Sequence, residues 1–457
     1  MRVLFRTFGC KANQYDTERM RQELEALGAD SSVPDSGAQV CVVNTCTVTN
    51  QADADALRYI RRIQRENPGI KVVVAGCSSA LNPDAYREMD GVVAVVEGHD
   101  PVEVSRATLG MEEGAGCHPP YEGTEAGGSL VQIGSAPSRS GGHSKPSVGE
   151  LLHRRAGATR CWLKVQDGCD RKCSFCATRL ARGESRSRPV EEVVSEARLL
   201  SEAHPELVIT GIHIGHYGLD LERPSSLSRL MSVLLEKVPG VRFRLGSIEA
   251  TEVDDLLLDL MEASGGQLAP HLHMPLQSGS DLVLRQMRRW HTRDMYRAPA
   301  FEKANRFSVL GLGADVITGF PGETTHDHES TRALLEELPF TYLHVFPYSP
   351  RNGTPAMALP DPVPQRIAGE RGRELRELAL EKGERYRDRR VGSRATVVLE
   401  GGGGHALTED YLRAEVVPTV GDGEEGSKGL LQGRLEGSGE HLCIALSQCC
   451  LLYTSPS

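Results

Sequence analysis

Three cysteines lie close together in the stretch QDGCDRKCSFCATR, residues 166–179. They are Cys169, Cys173 and Cys176, spaced C-x3-C-x2-C with no fourth cysteine nearby. Structural zinc and iron–sulfur sites usually have four protein ligands. Three thiolates can instead hold three irons of a [4Fe–4S] cluster and leave the fourth iron open. An open iron could chelate S-adenosylmethionine through its amino and carboxylate groups and permit one-electron cleavage of its carbon–sulfur bond.

A zinc knuckle is the alternative for this loop. A distant His or Asp would then supply the fourth ligand, but C-x3-C-x2-C is much rarer in zinc sites than C-x2-C pairs. Phe175, directly before the last cysteine, suits packing over a cluster and equally suits an ordinary apolar anchor. The spacing therefore favours the open iron–sulfur cluster.

Residues 1–110 alternate between strand and helix patterns. The strands are short and Val-rich, as buried parallel strands tend to be. Predicted strands cover 2–8, 38–45, 71–76 and 92–98, and predicted helices run from about 17 to 27 and from about 52 to 66. The pattern predicts a doubly wound parallel α/β domain.

Three further cysteines, Cys10, Cys46 and Cys77, each follow one of the first three strands. The carboxyl ends of parallel strands converge at one edge of an open sheet, where ligands bind. We therefore expect these thiols to meet, although three unrelated buried cysteines stay an alternative on spacing alone. Cys41 lies inside the second strand, and we assign it to the core.

The next two segments are a linker and a barrel. Gly, Pro or Ser occupy nineteen of the forty positions in residues 111–150, which is linker composition and sets Cys117 aside as a ligand. Residues 151–390 then repeat strand and helix. The predicted strands are 161–167, 207–213, 242–248, 271–277, 312–320 and 342–349. They predict a partial (β/α)6 barrel, with the three-cysteine loop at the carboxyl end of its first strand, where barrel chemistry is expected.

The C-terminal residues 391–446 show short strands with Gly-rich turns and no helical pattern. This predicts a small, TRAM-like β-barrel of the kind that often binds oligonucleotides. The tail, residues 447–457, fits no element, and its end resembles a translated sequencing adaptor, so its native origin stays open. Cys449 and Cys450 are therefore excluded as ligands.

Composition and charge restrict the class of protein. The 457 residues include twelve cysteines but no export signal and no long apolar stretch, which favours a cytoplasmic chain with reduced, metal-binding thiols. The net charge is −10, so a nucleic acid would need a local basic surface. Residues 365–394 carry nine Arg and one Lys against six acids, although ion pairs along a solvated helix explain this pattern equally well.

The motifs resemble those of radical S-adenosylmethionine enzymes, and the full set is similar to their methylthiotransferase family. The resemblance is carried by FGCKANQYD, NTCTVT, DGCDRKCSFCATRLARGESRSRP, TGIHIGHYG, GSIEATE, HMPLQSGSDLVLRQMRR, DVITGFPGET and FPYSPRNGTPA, which together span nearly the whole chain. GCKANQYD, TGIHIGHYG and the C-terminal barrel resemble the branch that acts on N6-threonylcarbamoyladenosine at position 37 of transfer RNA.

This resemblance implies two [4Fe–4S] clusters, a radical cluster on Cys169, Cys173 and Cys176 and an auxiliary cluster on Cys10, Cys46 and Cys77. One S-adenosylmethionine would methylate sulfur at the auxiliary cluster. A second would yield the 5′-deoxyadenosyl radical that activates C2 of the adenine, with electrons from a donor such as flavodoxin or ferredoxin. The motif AGCSSA departs from the family, which more often has a bulky residue and Gln after the cysteine.

Polar residues at the other strand ends are candidates for the S-adenosylmethionine pocket. They are Ser247, Glu249, His273 and Gln277, with helix capping and ordinary loop contacts as the competing interpretations. His213 and His216 are expected to shape a pocket rather than to bind metal. Tyr348, Ser349 and Arg351 have the same possible role at the last strand, and GFPGET is expected to be a strand-to-helix turn because it lacks the Lys of a phosphate loop.

Arginines follow the cluster loop closely. Arg179, Arg182, Arg186 and Arg188 could meet phosphates of an anticodon stem or pair with acids such as Glu184 and Glu191. The leading hypothesis is a transfer RNA methylthiotransferase without membrane partners. The alternatives are the same chemistry on isopentenyladenosine or a ribosomal protein, and a noncatalytic iron–sulfur protein that binds RNA.

Overall fold

The computed structural model describes residues 1–31, 37–110, 131–133, 152–400, 404–417 and 429–447. Most of the predicted linker and tail, with Cys117, Cys449 and Cys450, lies outside these residues. The described residues form two compact units. The first contains those up to residue 152 together with 168–170 and 176–184, and the second contains the rest.

The first unit is built on a parallel sheet whose five strands lie in chain order. The strands are β1 Val3–Thr7, β2 Val40–Thr45, β3 Lys71–Gly76, β4 Val92–Val96 and β5 Val131–Ile133. The helices are α1 Lys11–Ala26, α2 Asn50–Glu66, α3 Cys77–Leu81, α4 Asp84–Arg87, α5 Pro101–Leu109 and α6 Thr178–Arg182. The predicted α/β domain with a parallel sheet is confirmed.

Helices cover both faces of this sheet. Ile60 and Ile63 of α2 pack against one face, and Met20 of α1 and Val104 of α5 pack against the other. Two details differ from the expectation. Helix α1 begins at Lys11 instead of about residue 17, because its first turns bury polar side chains that hide the apolar periodicity. A fifth strand, β5, lies within the segment predicted as linker and pairs with β4.

The second unit contains the predicted incomplete barrel. Its parallel strands are β6 Arg160–Lys164, β9 Glu206–Thr210, β10 Arg242–Leu245, β11 His271–His273, β12 Gly311–Thr318 and β13 Tyr342–Pro347. A short ribbon joins β7 Gln166–Asp167 to β8 Arg186–Ser187. The three strands β6, β9 and β10 form one sheet and the last three form another. Bridges such as Ser247 to His273 connect the two, which gives six strands in one layer.

Helices follow these strands in the order that the sequence predicts. They are α7 Val190–Ser201, α8 Leu227–Lys237, α9 Asp255–Ala263, α10 Asp281–Gln286, α11 Arg293–Arg306, α12 Thr325–Glu337 and α13 Gln365–Arg390. The GFPGET segment is a strand-to-helix turn, as expected, with Gly319 at a φ of 74° and Thr324 in a capping box at the start of α12. No described helix has the length and apolar character needed to cross a membrane.

A closed five-stranded barrel completes the second unit. Its strands are β14 Arg394–Glu400, β15 His405–Thr408, β16 Arg413–Val417, β17 Leu431–Gly437 and β18 Leu442–Leu446. Val397, Ala406, Leu435 and Ile444 fill its core. The predicted small C-terminal barrel is confirmed, and β15 is the strand that the sequence pattern did not reveal.

A buried ion cluster attaches this barrel to the strands β9 and β10. Glu206 accepts hydrogen bonds from Arg242 at 2.6 Å and from Arg244 at 2.9 Å, and all three side chains are fully buried. The two arginines also donate to the carbonyls of Thr396 and Thr408 in the barrel. Burial by itself would raise the pKa of Glu206, but the charges of Arg244 and Arg242 hold it well below its usual value.

We expect Glu206→Gln to destabilise this junction. The change keeps the side-chain shape but leaves two buried guanidinium groups without a carboxylate, a loss that typically costs about 3–5 kcal/mol. Thermal melting should show a lower Tm, whereas Glu202→Gln, at an exposed position, should leave it unchanged. Because the folded pKa of Glu206 is depressed, its stabilisation is present above the unfolded pKa of about 4.3 and is lost on acidification. Equal melting of both variants at neutral pH would contradict this role.

Candidate cluster and cofactor sites

The first unit brings Cys10, Cys46 and Cys77 together at the carboxyl edge of its sheet. Cys10 lies between β1 and α1, Cys46 follows β2, and Cys77 begins α3. Gly9, at a φ of 97°, makes the approach possible, because a Cβ there would lie 2.2 Å from the Cys46 Sγ. The convergence argued from strand ends is therefore observed.

The environment of these thiols suits a bound cation. Burial, with a smaller contribution from the neighbouring Cys10 thiol, raises the pKa of Cys46 to about 11 and that of Cys77 to about 12, although Arg182 opposes the rise. Three thiolates cannot share so buried a space without positive charge. Irons bound by soft thiolate ligands would supply that charge, so the donor set fits an iron–sulfur cluster.

Arg182, at the end of α6, lies against this site. Its Nε donates to the Cys77 Sγ at 3.1 Å, and its Nη2 donates to Asn13 at 2.6 Å and to Asp16 at 2.7 Å. The side chain is fully buried. The predicted contact of Arg182 with RNA phosphates is therefore contradicted, because the guanidinium is already occupied inside the protein and cannot reach solvent.

The other arginines of this segment differ in exposure. Arg188 donates to the carbonyl of Lys164 at 2.8 Å and to Glu196 at 2.9 Å, so its guanidinium is held within the second unit. Arg186 is exposed. Arg179 lies 3.6 Å from Glu184 in the first unit. Of these four arginines only Arg186 is exposed, and its contact with RNA phosphates stays a prediction.

The three-cysteine loop lies between β7 and α6, and all three of its thiols are partly exposed. In the first unit, the Cys176 Sγ accepts a hydrogen bond from the Thr178 amide at 3.4 Å. In the second unit, Ser174 bonds to the carbonyls of Gln286 and Met287, and Phe175 packs on the apolar cluster around Phe320. Phe175 is thus an apolar anchor of the loop.

Arg289 connects this loop to a pocket residue. Its Nη1 donates to the Cys173 Sγ at 3.7 Å, and its Nη2 donates to Glu249 at 2.6 Å. Burial raises the pKa of Glu249, although Arg289 opposes the rise. Sequence reasoning missed Arg289. The signal available was the pair of arginines before Trp290, just after the short helix α10.

The other predicted pocket residues lie near one another in the second unit. Ser247, which is exposed, is bridged to His273, and the backbone of Gln277 pairs with that of Val316. The Nε2 of His273 donates to the Asp315 carboxylate at 3.1 Å, and its Nδ1 lies 3.0 Å from the Tyr342 hydroxyl. Ser247, His273 and Gln277 thus line successive strand ends, as expected, and their contact with S-adenosylmethionine stays a prediction.

His213 and His216 share one carboxylate, that of Glu252. The distances from their Nε2 atoms are 2.8 and 3.3 Å, and Arg171 of the cluster loop adds a contact of 3.0 Å. Burial alone would raise the pKa of Glu252, but His213 and Arg171 lower it. A guanidinium at this carboxylate repels a metal ion, so the arrangement favours the predicted pocket-shaping role.

The candidate pocket residues at the last strand are held by the protein itself. Arg351 is buried, and Tyr348 packs edge-on against Phe320.

Four of the eight arginines of the basic helix α13 form ion pairs within the described part of the chain. Arg366 and Arg385 form i,i+4 pairs with Glu370 and Glu381. Arg371 pairs with Glu323 at 2.7 Å, and Arg390 pairs with Asp410 at 2.8 Å. The ion-pair interpretation therefore accounts for much of the positive excess of residues 365–394.

Comparisons with known proteins agree with this architecture. The model of the Radical SAM superfamily matches residues 163–335, and that of the uncharacterized protein family UPF0004 matches residues 2–98. The solved structure of the radical S-adenosylmethionine methyltransferase TsrM from Kitasatospora setae shares the fold, with a TM-score of 0.53 and 17% identity over 75% of this chain and 72% of that chain. The fold and loop define a radical S-adenosylmethionine enzyme.

Two curated relatives narrow the class. The threonylcarbamoyladenosine tRNA methylthiotransferase MtaB of Rickettsia prowazekii (strain Madrid E) is 35% identical over 89% of both chains. The protein of the same name from Thermotoga maritima is 36% identical over 87% of this chain and 86% of its own. The chain belongs to the radical S-adenosylmethionine methylthiotransferase family, in the threonylcarbamoyladenosine branch.

Proposed function

We propose that this enzyme methylthiolates C2 of N6-threonylcarbamoyladenosine at position 37 of transfer RNA. The product would be 2-methylthio-N6-threonylcarbamoyladenosine. The observation that carries the proposal is the pair of three-thiol sites in one chain. They are the partly exposed loop of Cys169, Cys173 and Cys176 and the group of Cys10, Cys46 and Cys77, in which Cys46 and Cys77 are buried. The names of the relatives at 35% and 36% identity support the choice of nucleoside.

Each set of three cysteines would hold one [4Fe–4S] cluster, with one iron left without a protein ligand. The loop cluster would supply the electron that cleaves S-adenosylmethionine, and the buried cluster would carry the sulfur to be transferred. The protein's own groups have distinct tasks. Arg289 positions the Cys173 thiol and neutralises Glu249, while Arg182 places a positive charge at Cys77 and so favours its thiolate.

The inner strand ends of the barrel would hold the small molecules. Ser247, Glu249, His273 and Gln277 are the residues that we assign to the S-adenosylmethionine pocket, because they follow successive strands at the end where the cluster loop lies. Residues 1–110, 151–390 and 391–446 would act as the auxiliary-cluster domain, the radical barrel and a TRAM-like RNA-binding barrel. A flavodoxin or ferredoxin would supply electrons in the cytoplasm.

Nucleoside mass spectrometry tests this function. Transfer RNA from cells with an intact gene should contain 2-methylthio-N6-threonylcarbamoyladenosine, and deletion of the gene should remove it while its unmethylthiolated precursor accumulates. Deletion should leave 2-methylthio-N6-isopentenyladenosine unchanged. An unchanged pool of the threonylcarbamoyl product would eliminate the proposed substrate, and a change only in the isopentenyl product would assign the enzyme to the other transfer RNA branch.

A further inference from the structure

A groove of about 650 Å³ lies between helix α2 and the edge strand β1 of the first unit. We call it the basic groove. Its lining residues are Arg6, Phe8, Asp55, Arg58, Tyr59, Arg61, Arg62 and Arg65. It therefore collects five arginines in a chain whose net charge is −10.

These five guanidinium groups are exposed and sparsely neutralised. Asp55 pairs with Arg58, and Glu66 lies 3.7 Å from Arg62. Within the described part of the chain, Arg6, Arg61 and Arg65 have no carboxylate partner. The groove thus keeps a positive field available to a ligand.

Two aromatic rings form the floor of the basic groove. Phe8 and Tyr59 meet edge to face with centroids 6.0 Å apart. The guanidinium of Arg6 lies 5.3 Å from the centroid of the Tyr59 ring. The guanidinium of Arg62, on α2, lies 5.2 Å from the same centroid. Stacking on a ring orients a guanidinium while its N–H groups still point to solvent, which is the arrangement that binds phosphate oxygens well.

The spacing along α2 suits a chain of phosphates. Arg58, Arg61, Arg62 and Arg65 recur every three or four residues, so they share one face of the helix. Seven residues of helix span about 10 Å, which matches roughly three nucleotides of one strand. Phe8, in the groove, is two residues from Cys10, so a ligand bound here would lie beside the loop of the auxiliary site.

We propose that the basic groove binds the sugar–phosphate backbone of the RNA substrate, with the partly exposed Phe8 as its aromatic surface. Tyr59 is buried and instead supports the guanidinium groups of Arg6 and Arg62. The identity of the RNA as transfer RNA rests on the proposed function. An acidic protein would also be attracted by the arginines, but the combination of aromatic floor and a row of planar donors is typical of RNA recognition.

The test compares charge changes on opposite faces of the same sheet in the full-length enzyme. Arg61→Gln combined with Arg65→Gln removes two positive charges from the groove. Arg106→Glu makes the same net change at an exposed position of α5, on the other face. Fluorescence anisotropy should show that the groove variant binds threonylcarbamoylated transfer RNA about tenfold more weakly at low salt, with a salt slope shallower by roughly 1.5.

The control variant should bind within twofold of wild type, and S-adenosylmethionine cleavage without RNA should be the same in all three proteins. Wild-type affinity of the groove variant, as expected if the groove serves an acidic protein, would overturn the proposal. Equal weakening by Arg106→Glu would overturn it too. The proposed function fails separately: a wild-type enzyme that binds transfer RNA through the groove but forms no methylthio product would refute the reaction and keep the groove.

Discussion

Replacing Cys173 with alanine should abolish reductive cleavage of S-adenosylmethionine. The loop supplies only three thiolate ligands, one fewer than a closed site. A cluster held by the two that remain would not be stable. We expect 5′-deoxyadenosine formation with dithionite to fall at least ~1000-fold, a barrier increase of about 4 kcal/mol. Iron bound per chain should drop from about eight to about four, since the auxiliary cluster is retained. Chromatography with mass spectrometry measures the nucleoside.

Cys161→Ala is the matched control for this experiment. Cys161 is a buried thiol on β6, eight residues before the first loop cysteine, and its Sγ lies 3.8 Å from the backbone carbonyl of Trp162. Its removal should leave the iron content and cleavage unchanged. If Cys173→Ala retained cleavage, the loop would not hold the radical cluster, and a zinc content of one per chain in the wild-type protein would point to the alternative knuckle.

Replacing Cys46 with alanine should separate the two halves of the reaction. Cys46 lies with Cys10 and Cys77 at the edge of the sheet in the first unit, whereas the predicted S-adenosylmethionine pocket lies in the second. We expect S-adenosylmethionine cleavage within about threefold of wild type, because the loop cysteines are intact. Methylthiolated product from transfer RNA should fall below detection, since the sulfur-carrying cluster would lose a ligand. Both products are measured in one reaction.

Cys41→Ala is the matched control for Cys46→Ala, because Cys41 lies in the strand that Cys46 follows. Cys41 is fully buried in β2, five residues before Cys46, and its Sγ lies 3.9 Å from the Tyr59 hydroxyl. Removing a small buried thiol should cost only about 1 kcal/mol of stability and leave both activities. Equal loss of cleavage and of sulfur insertion in the Cys46 and Cys173 variants would contradict the division of labour between the two sites.

The sequence alone determined the candidate cysteines, because each lies next to a strand that the sequence pattern reveals. Cys10, Cys46 and Cys77 come directly after Val-rich strands, and parallel strands of one sheet must end at one edge. The six barrel strands were visible for the same reason, since short apolar runs with helices between them permit few other arrangements. The elements that were missed include β5, β15 and the start of α1, whose apolar patterns are weak.

Tertiary structure decided which charged groups act on those cysteines. Arg182 and Arg289 look like ordinary surface arginines in the sequence, yet Arg182 is buried against Asp16 and Cys77, and Arg289 joins Cys173 to Glu249. The partners lie 40 to 166 residues away in the sequence. No regular spacing marks these pairs in the sequence. The sequence shows which residues are charged. The electrostatic free energy of each charge depends on its burial and on its partners, which only the folded chain supplies.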